Sequence, residues 1–243
     1  MPFTFSHPAA ILPFRNSAKH KISLTALALG SMAPDFEFFF RMKAQTDISH
    51  TIPGIFLFNI PVVLVLAFLY HGWVRNPLLH HLPAFLQARF LGYGQFHWGE
   101  YVQRHWGVVL ISAFLGVLTH FICDAFTHKH GWFVQQIPLL ASSMPMLGKT
   151  LPVYHFLQYF SSLVMAVVLG WAAFRLPPVA VERNVPGFFR YWLLVTGVTV
   201  LTCLVRFWPT GEGAIRNDVI MTVISGGLLG LLVASGASRW LKF

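Results

Sequence analysis

"WGVVLISAFLGVLTHFICDAFTHKHG", residues 106–131, decides the class of this protein. Residues 106–125 are long and apolar enough to cross a bilayer core, which takes roughly 20 such residues. Yet His120 and Asp124 fall inside the run, with His128 and His130 just after it, and lipid tolerates such groups only when they are partnered or face a protein interior. The rest of the chain agrees with the apolar half of this reading. Over 243 residues it is 56% hydrophobic and 10% charged, with a mean hydropathy of +0.62, where soluble domains carry about a quarter charged residues. This composition belongs to an integral membrane protein.

Four further segments reach spanning length, approximately 54–73, 156–174, 188–208 and 217–236. A sixth run, "ISLTALALGSMAPDFEFFF" at 22–40, is interrupted by Pro34, Asp35 and Glu37, which suits a buried or re-entrant half-helix better than a span. Trp73, Trp106, Trp171, Trp192, Trp208 and Trp240 fall near segment ends, the level at which amphipathic rings sit in a membrane. Gly226, Gly227 and Gly230 in "SGGLLGLL" allow helices to approach closely. The expected architecture is therefore all-α and polytopic, with about five transmembrane helices plus an N-terminal half-helix or re-entrant segment. It is read as a single integral membrane domain: residues 1–53 form the polar and half-helix segment, and 54–243 the five-span bundle.

The formal charge of +9 does not imply nucleic acid, because Lys and Arg are scattered between apolar runs rather than gathered on one stripe. Anionic lipid headgroups account for it, so membrane lipids are the expected partners. Cys123 and Cys203 lie in apolar stretches and form no CxxC pair, so neither a disulfide framework nor a zinc knuckle is expected. "MPFTFSHPAAILPF" lacks a charged start followed by an unbroken apolar core, and no cleaved signal peptide is expected.

Counting crossings assigns the polar residues to sides. His7, Asp35, Glu37, Asp47 and His50 precede the first span, and two crossings later the chain delivers His120, Asp124, His128 and His130 to the same face. His155, Arg206, Glu212, Arg216 and Asp218 fall on that face too, whereas His80, His81, His97 and His105 fall on the other. On a helix, His120, Asp124 and His128 recur at i, i+4 and i+8, each turned by about 40° and raised by about 6 Å from the last. An i, i+4 pair can grip one cation, as in HExxH helices, but the ~12 Å from His120 to His128 is too long for one ion unless the helix ends between them. Imidazole with carboxylate suits zinc first, with manganese or iron as alternatives. For any one residue alone, an interfacial hydrogen-bonded group is the ordinary explanation, and it is the set that points to a metal.

The stretches "PFTFSHPAAILP", "LGSMAPDFEFFF", "SHTIPGIFLFNIP", "THFICDAFTHKHGWF" and "YHFLQYFSS" together resemble a bacterial integral-membrane family, domain-of-unknown-function family 4184, over residues 2 to about 162. More distantly, the order His, PD with a second acid, His, then HxxxD is similar to the membrane-bound metal-dependent hydrolases, and more loosely to zinc-dependent phospholipases C. That resemblance implies a hydrolytic site with metal ligands at His7, Asp35, His50, His120 and Asp124, and a further candidate ligand at His128. The chain departs from those hydrolases in having Asp35 and Glu37 where they favour Asp-x-Asp, and "SHTIPG" where they carry an HRGxTHS-like segment.

Two functional readings follow. In the first, the chain is a membrane-bound metal-dependent hydrolase of a phosphoester, or other ester or amide, of a lipid-like substrate. One or two divalent ions act with Glu37 or His128 as general base, and Arg206 and Arg216 hold an anionic headgroup unless they are plain interfacial anchors. In the second it is a non-enzymatic small transporter or scaffold with a structural or transported cation at the same polar face. The expected location is the bacterial cytoplasmic membrane. Arg15, Lys19, Lys21, Arg41 and Lys43 before the first span, against Arg75, Arg89 and Arg104 after it, lean the N-terminus toward the cytoplasm.

Overall fold

The structure, a computed structural model, describes residues 3–18, 21–146, 148–181, 186–208 and 216–241. Lys19, Glu212 and the side chains of Arg15 and Arg216, which entered the sequence reading, lie outside the described part. The described chain is helical apart from one small hairpin. After an irregular 3-10 stretch, Thr4–Ala18, come α1 (Leu24–Gly30) and, beyond a 3-10 turn at Ala33–Asp35, α2 (Phe36–Arg41). The first long element is α3 (Ile52–His80). Then follow α4 (Ala84–Phe90), α5 (Trp98–Thr127), α6 (Trp132–Gln136) and α7 (Pro138–Ala141). The hairpin pairs β1 (Ser143–Met146) with β2 (Lys149–Pro152) in antiparallel register, Ser143 opposite Pro152. Three long helices close the chain: α8 (Val153–Phe174), α9 (Phe188–Phe207) and α10 (Arg216–Leu241).

Five of these helical stretches are long and apolar enough to cross a membrane: Ile52–His80, Trp98–Gln136, Val153–Phe174, Phe188–Phe207 and Asn217–Leu241. Each contains one of the segments legible in the sequence, except that the fourth ends one residue short of the expected 188–208. The interrupted run at 22–40 forms only the short helices α1 and α2, because Pro34 supplies no N–H at the break. Prolines also shape α3. Its α-helical hydrogen bonding widens to π-turns at Ile55–Asn59, ahead of Pro61, and at Tyr70–Val74, ahead of Pro77. A proline has no N–H for the carbonyl four residues back, and its ring crowds that carbonyl. In α5 the backbone leaves helical values at His105 (φ −136°, ψ 32°), so two helical pieces meet there.

The described chain divides into two compact units. One comprises residues 1–35, 48–64 and 105–173; the other comprises 36–47, 65–104 and 174–243. In the first unit, α1 lies directly on α5. A Cβ added to Gly30 would strike the Ala113 carbonyl, and one added to Gly116 would strike that of Leu27, so the two glycines are what let these backbones touch. Beside them, the Ser23 N–H donates to Ser112 Oγ (2.8 Å). In the second unit, Gly226 and Gly230 of α10 meet the backbones of Thr199 and Val195 on α9, the close approach that "SGGLLGLL" allows. The Tyr191 hydroxyl pairs with Ser235 Oγ (3.0 Å). Ser225 Oγ donates to the Phe39 carbonyl (2.6 Å), tying α2 to α10.

Candidate metal centre

The candidate centre lies wholly in the first unit and is built from three pieces of chain. Asp35 is the last residue of the 3-10 turn that follows α1, and the contact of α1 with α5 carries it to the polar end of α5. His50 sits just ahead of α3. There Thr51 acts as N-cap, its hydroxyl accepting from the Gly54 N–H (3.0 Å), and Pro53 occupies the first turn, where its missing N–H costs nothing. Asn59 Nδ2, from the first π-turn, donates to the Ser49 carbonyl (2.8 Å) and holds the His50 loop against the helix. His120 and Asp124 come from successive turns of α5, one helical turn apart.

These pieces bring four donor atoms together. His120 Nε2 lies 3.3 Å from Asp124 Oδ2 and 3.6 Å from Asp35 Oδ1. His50 Nε2 lies 3.4 Å from Asp124 Oδ2 and 3.8 Å from Asp35 Oδ1. Four ligands held ~2.0–2.1 Å from a single ion in a tetrahedron stand about 3.3–3.4 Å from one another. The four imidazole–carboxylate separations approach that spacing, and they are too long for good hydrogen bonds. Asp35 Oδ1 and His120 Nε2 are buried and make no hydrogen bond, an arrangement that is costly for polar atoms unless something positively charged sits among them.

The tautomer of His120 sharpens the point. Its Nδ1 lies 2.9 Å from the Ser31 carbonyl, which can only accept, so Nδ1 carries a proton and Nε2 is the ring nitrogen turned toward the carboxylates. Similar outer partners hold two of the other candidate donors: Thr4 Oγ1 donates to Asp35 Oδ2 (2.6 Å), and Ser49 Oγ pairs with His50 Nδ1 (2.9 Å). Metal sites are usually supported in this way, each ligand being oriented from behind. Thr4, Ser31 and Ser49 were not singled out in the sequence, although each lies in the same short stretch as a candidate ligand: "PFTFSHP", "GSMAPD" and "SHTIPG".

His7 belongs to the same cluster. One of its ring nitrogens groups with donor atoms of Asp35 and His120, all within 4.8 Å of one another, and a second such group joins His50, His120 and Asp124. The His7 ring is buried and stacks on that of His120, with centroids 4.3 Å apart. Burial, with the His120 ring beside it, lowers the His7 pKa to about 4, so the imidazole is neutral at ordinary pH and is in the form that can bind a cation.

His128 follows the end of α5 at Thr127, its N–H still donating to the Asp124 carbonyl (3.1 Å); its Nδ1 is 3.4 Å from Asp124 Oδ1, and its Nε2 is 3.1 Å from the Gln158 side-chain amide of α8. Gly131 makes room for the turn, since a Cβ there would strike the Ala125 carbonyl. The cluster opens on this side. The side chains of Asp35 and His120 are wholly buried, whereas those of His50 and His128 are 27% and 36% exposed. Glu37 is placed differently. It belongs to the second unit, where Oε1 accepts from Arg41 Nε (2.9 Å) and the Asp47 N–H (3.0 Å), and Arg41 pairs again with Asp47.

Against known families, the model described as Domain of unknown function (DUF4184) matches residues 1–236. The chain belongs to that family. The match takes in all five apolar helices down to Gly236 and every residue of the cluster. No curated protein and no solved structure matches the chain.

Proposed function

We propose that this member of the DUF4184 family is a membrane-bound metal-dependent hydrolase, acting on a phosphoester, or other ester or amide, of a lipid-like substrate. Its ion would be held by Asp35, His50, His120 and Asp124, with His7 as a further ligand. The observation that carries the reading is the set of 3.3–3.8 Å separations among four donor atoms, three of whose side chains are tied from behind by Thr4, Ser31 and Ser49. Two imidazoles and two carboxylates suit zinc first, then manganese or iron. Bound there, a divalent ion supplies Lewis acidity that polarises a phosphoryl or carbonyl oxygen and acidifies water.

The residues divide the remaining work. Asp35 and His120, wholly buried, anchor the closed side; His50 and Asp124 border the open side, where a substrate has access. His128, at that opening and within 3.4 Å of Asp124, takes the role of general base. Glu37, engaged by Arg41 and Asp47, is assigned to holding the loop before α3. We further place the protein in a bacterial cytoplasmic membrane with its N-terminus inside, on the excess of basic residues ahead of the first span.

The test uses the full chain purified in detergent without chelator. About one equivalent of a divalent metal, lost in Asp35→Ala, together with metal-dependent cleavage of a phospholipid or a carboxylic ester, supports the proposal. Protein that carries no metal and takes up none from zinc, manganese or iron would refute the centre. Metal without hydrolysis would favour the non-enzymatic reading, a transporter or scaffold with a resident cation.

A further inference from the structure

A different chemistry gathers in the second unit, where α3 and α10 end together. A cleft of about 450 Å³ there is lined by Asn76, Pro77, His80, His81, Ser238 and Arg239. Among the described residues no carboxylate lines it, and one arginine and two histidines do. Cations in the last turn of a helix are ordinary complements to its dipole, which accounts for His80 and Arg239 singly. It does not account for Arg75 behind them.

Arg75 is 6% exposed within a candidate span, and among the described residues its guanidinium meets only neutral groups: the Phe96 carbonyl (2.6 Å), the Gly94 carbonyl (2.7 Å), His71 Nδ1 (2.9 Å) and Asn76 Oδ1 (3.0 Å). A buried cation of this kind ordinarily has an acid beside it, because in a medium of low dielectric its charge is otherwise uncompensated. Among the described residues of this unit the acids are engaged elsewhere, Glu37 and Asp47 with Arg41 and Asp218 with the Ala44 N–H, or lie apart from the cleft lining, as Glu100 does. Asn76 links the buried charge to the cleft. Its carbonyl oxygen is consumed by Arg75 Nε, so the side-chain amide offers the cleft its N–H donors. Arg239 contributes likewise. Nη2 donates to the Gly72 (2.7 Å) and Trp73 (3.0 Å) carbonyls, the latter being the one that Pro77 leaves without an N–H partner, and this leaves Nε and Nη1 for another acceptor. The guanidinium is steadied over the Trp73 ring at 5.0 Å.

We propose that this cleft is a binding site for a phosphate-type anion, formed by Asn76, His80 and Arg239 with Arg75 as the buried counter-charge. Its ligand is either the head of an anionic lipid or a free phosphate, two sources with one chemistry. Both candidate spans that form it end there, at His80 and Leu241, the depth at which headgroups lie.

The experiment measures lipid retained by the detergent-purified full chain, using native mass spectrometry after exposure to phosphatidylglycerol or phosphatidylcholine, and thermal stability during titration with inorganic phosphate. The wild type should retain phosphatidylglycerol over phosphatidylcholine, or be stabilised by phosphate alone; the first result assigns a lipid head and the second a free phosphate. His80→Asp puts a carboxylate at an exposed position of the cleft without disturbing the core, and should cut retention or phosphate stabilisation at least about ten-fold, as Arg239→Gln should. Equal retention of both lipids with no response to phosphate overturns the proposal. So does His80→Asp behaving as wild type, or loss of retention in Asp124→Asn but not in His80→Asp, which would put the lipid at the metal centre instead.

Discussion

Replacing Asp124 by asparagine tests for a bound cation separately from everything else in the centre. The substitution keeps the size of the side chain, which stands 3.3 Å from His120 Nε2 and 3.4 Å from His50 Nε2, but removes the charge that would offset an ion. Suppose free metal is held at about 100 times its dissociation constant. Binding then contributes about 2.7 kcal/mol to the folded state, and a 100-fold loss of affinity lowers this to about 0.4 kcal/mol. The difference, about 2.3 kcal/mol, corresponds to a fall of roughly 5–9 °C in melting temperature for a chain of this length. If no metal binds and Asp124 is only an ion-pair partner of the histidines, breaking the pair costs about 3–5 kcal/mol and does so whether or not chelator is present. The assay is therefore thermal unfolding of wild type and Asp124→Asn, each with excess zinc and with EDTA. The metal reading expects EDTA to bring the wild type down close to the level of the variant and to lower the variant by no more than the residual ~0.4 kcal/mol. An equal gap between the two proteins in zinc and in EDTA would refute it.

Thr4→Val removes the hydroxyl that donates to Asp35 Oδ2 while keeping the shape of the side chain, and should weaken metal binding by about 10–100-fold, read by competition with a chromophoric chelator. Gly30→Ala places a methyl group against the Ala113 carbonyl and should push α1 off α5, costing about 1–3 kcal/mol and lowering metal content with it; metal analysis beside thermal unfolding checks both. His97→Ala, at a histidine of the second unit outside the cluster, should leave metal content at the wild-type level.

What the sequence determined by itself is what depends on neighbours along the chain. Burying an apolar run of about 20 residues in hydrocarbon needs no partner from elsewhere, so all five spans were legible from composition and length. Pro34 marked the break in the run at 22–40 for the same local reason. The i, i+4 spacing placed His120, Asp124 and His128 along one side of a helix, and His128, just past the helix end at Thr127, does lie near Asp124. Only the tertiary structure decided which distant groups meet them. Asp35 comes within 3.6 Å of His120 because two glycines let α1 touch α5, and His50 comes within 3.4 Å of Asp124 from a loop that Asn59 pins. The closely spaced acids Asp35 and Glu37 looked alike in "PDFE", yet Asp35, ending the 3-10 turn, joins the histidines, whereas Glu37, in the first turn of α2, pairs with Arg41 one turn further on. Thr4, Ser31 and Gln158 carry no metal-ligand chemistry of their own, so nothing in their identity marks them. Their place behind Asp35, His120 and His128 follows from packing across separations of 31, 89 and 30 residues, which no local pattern encodes.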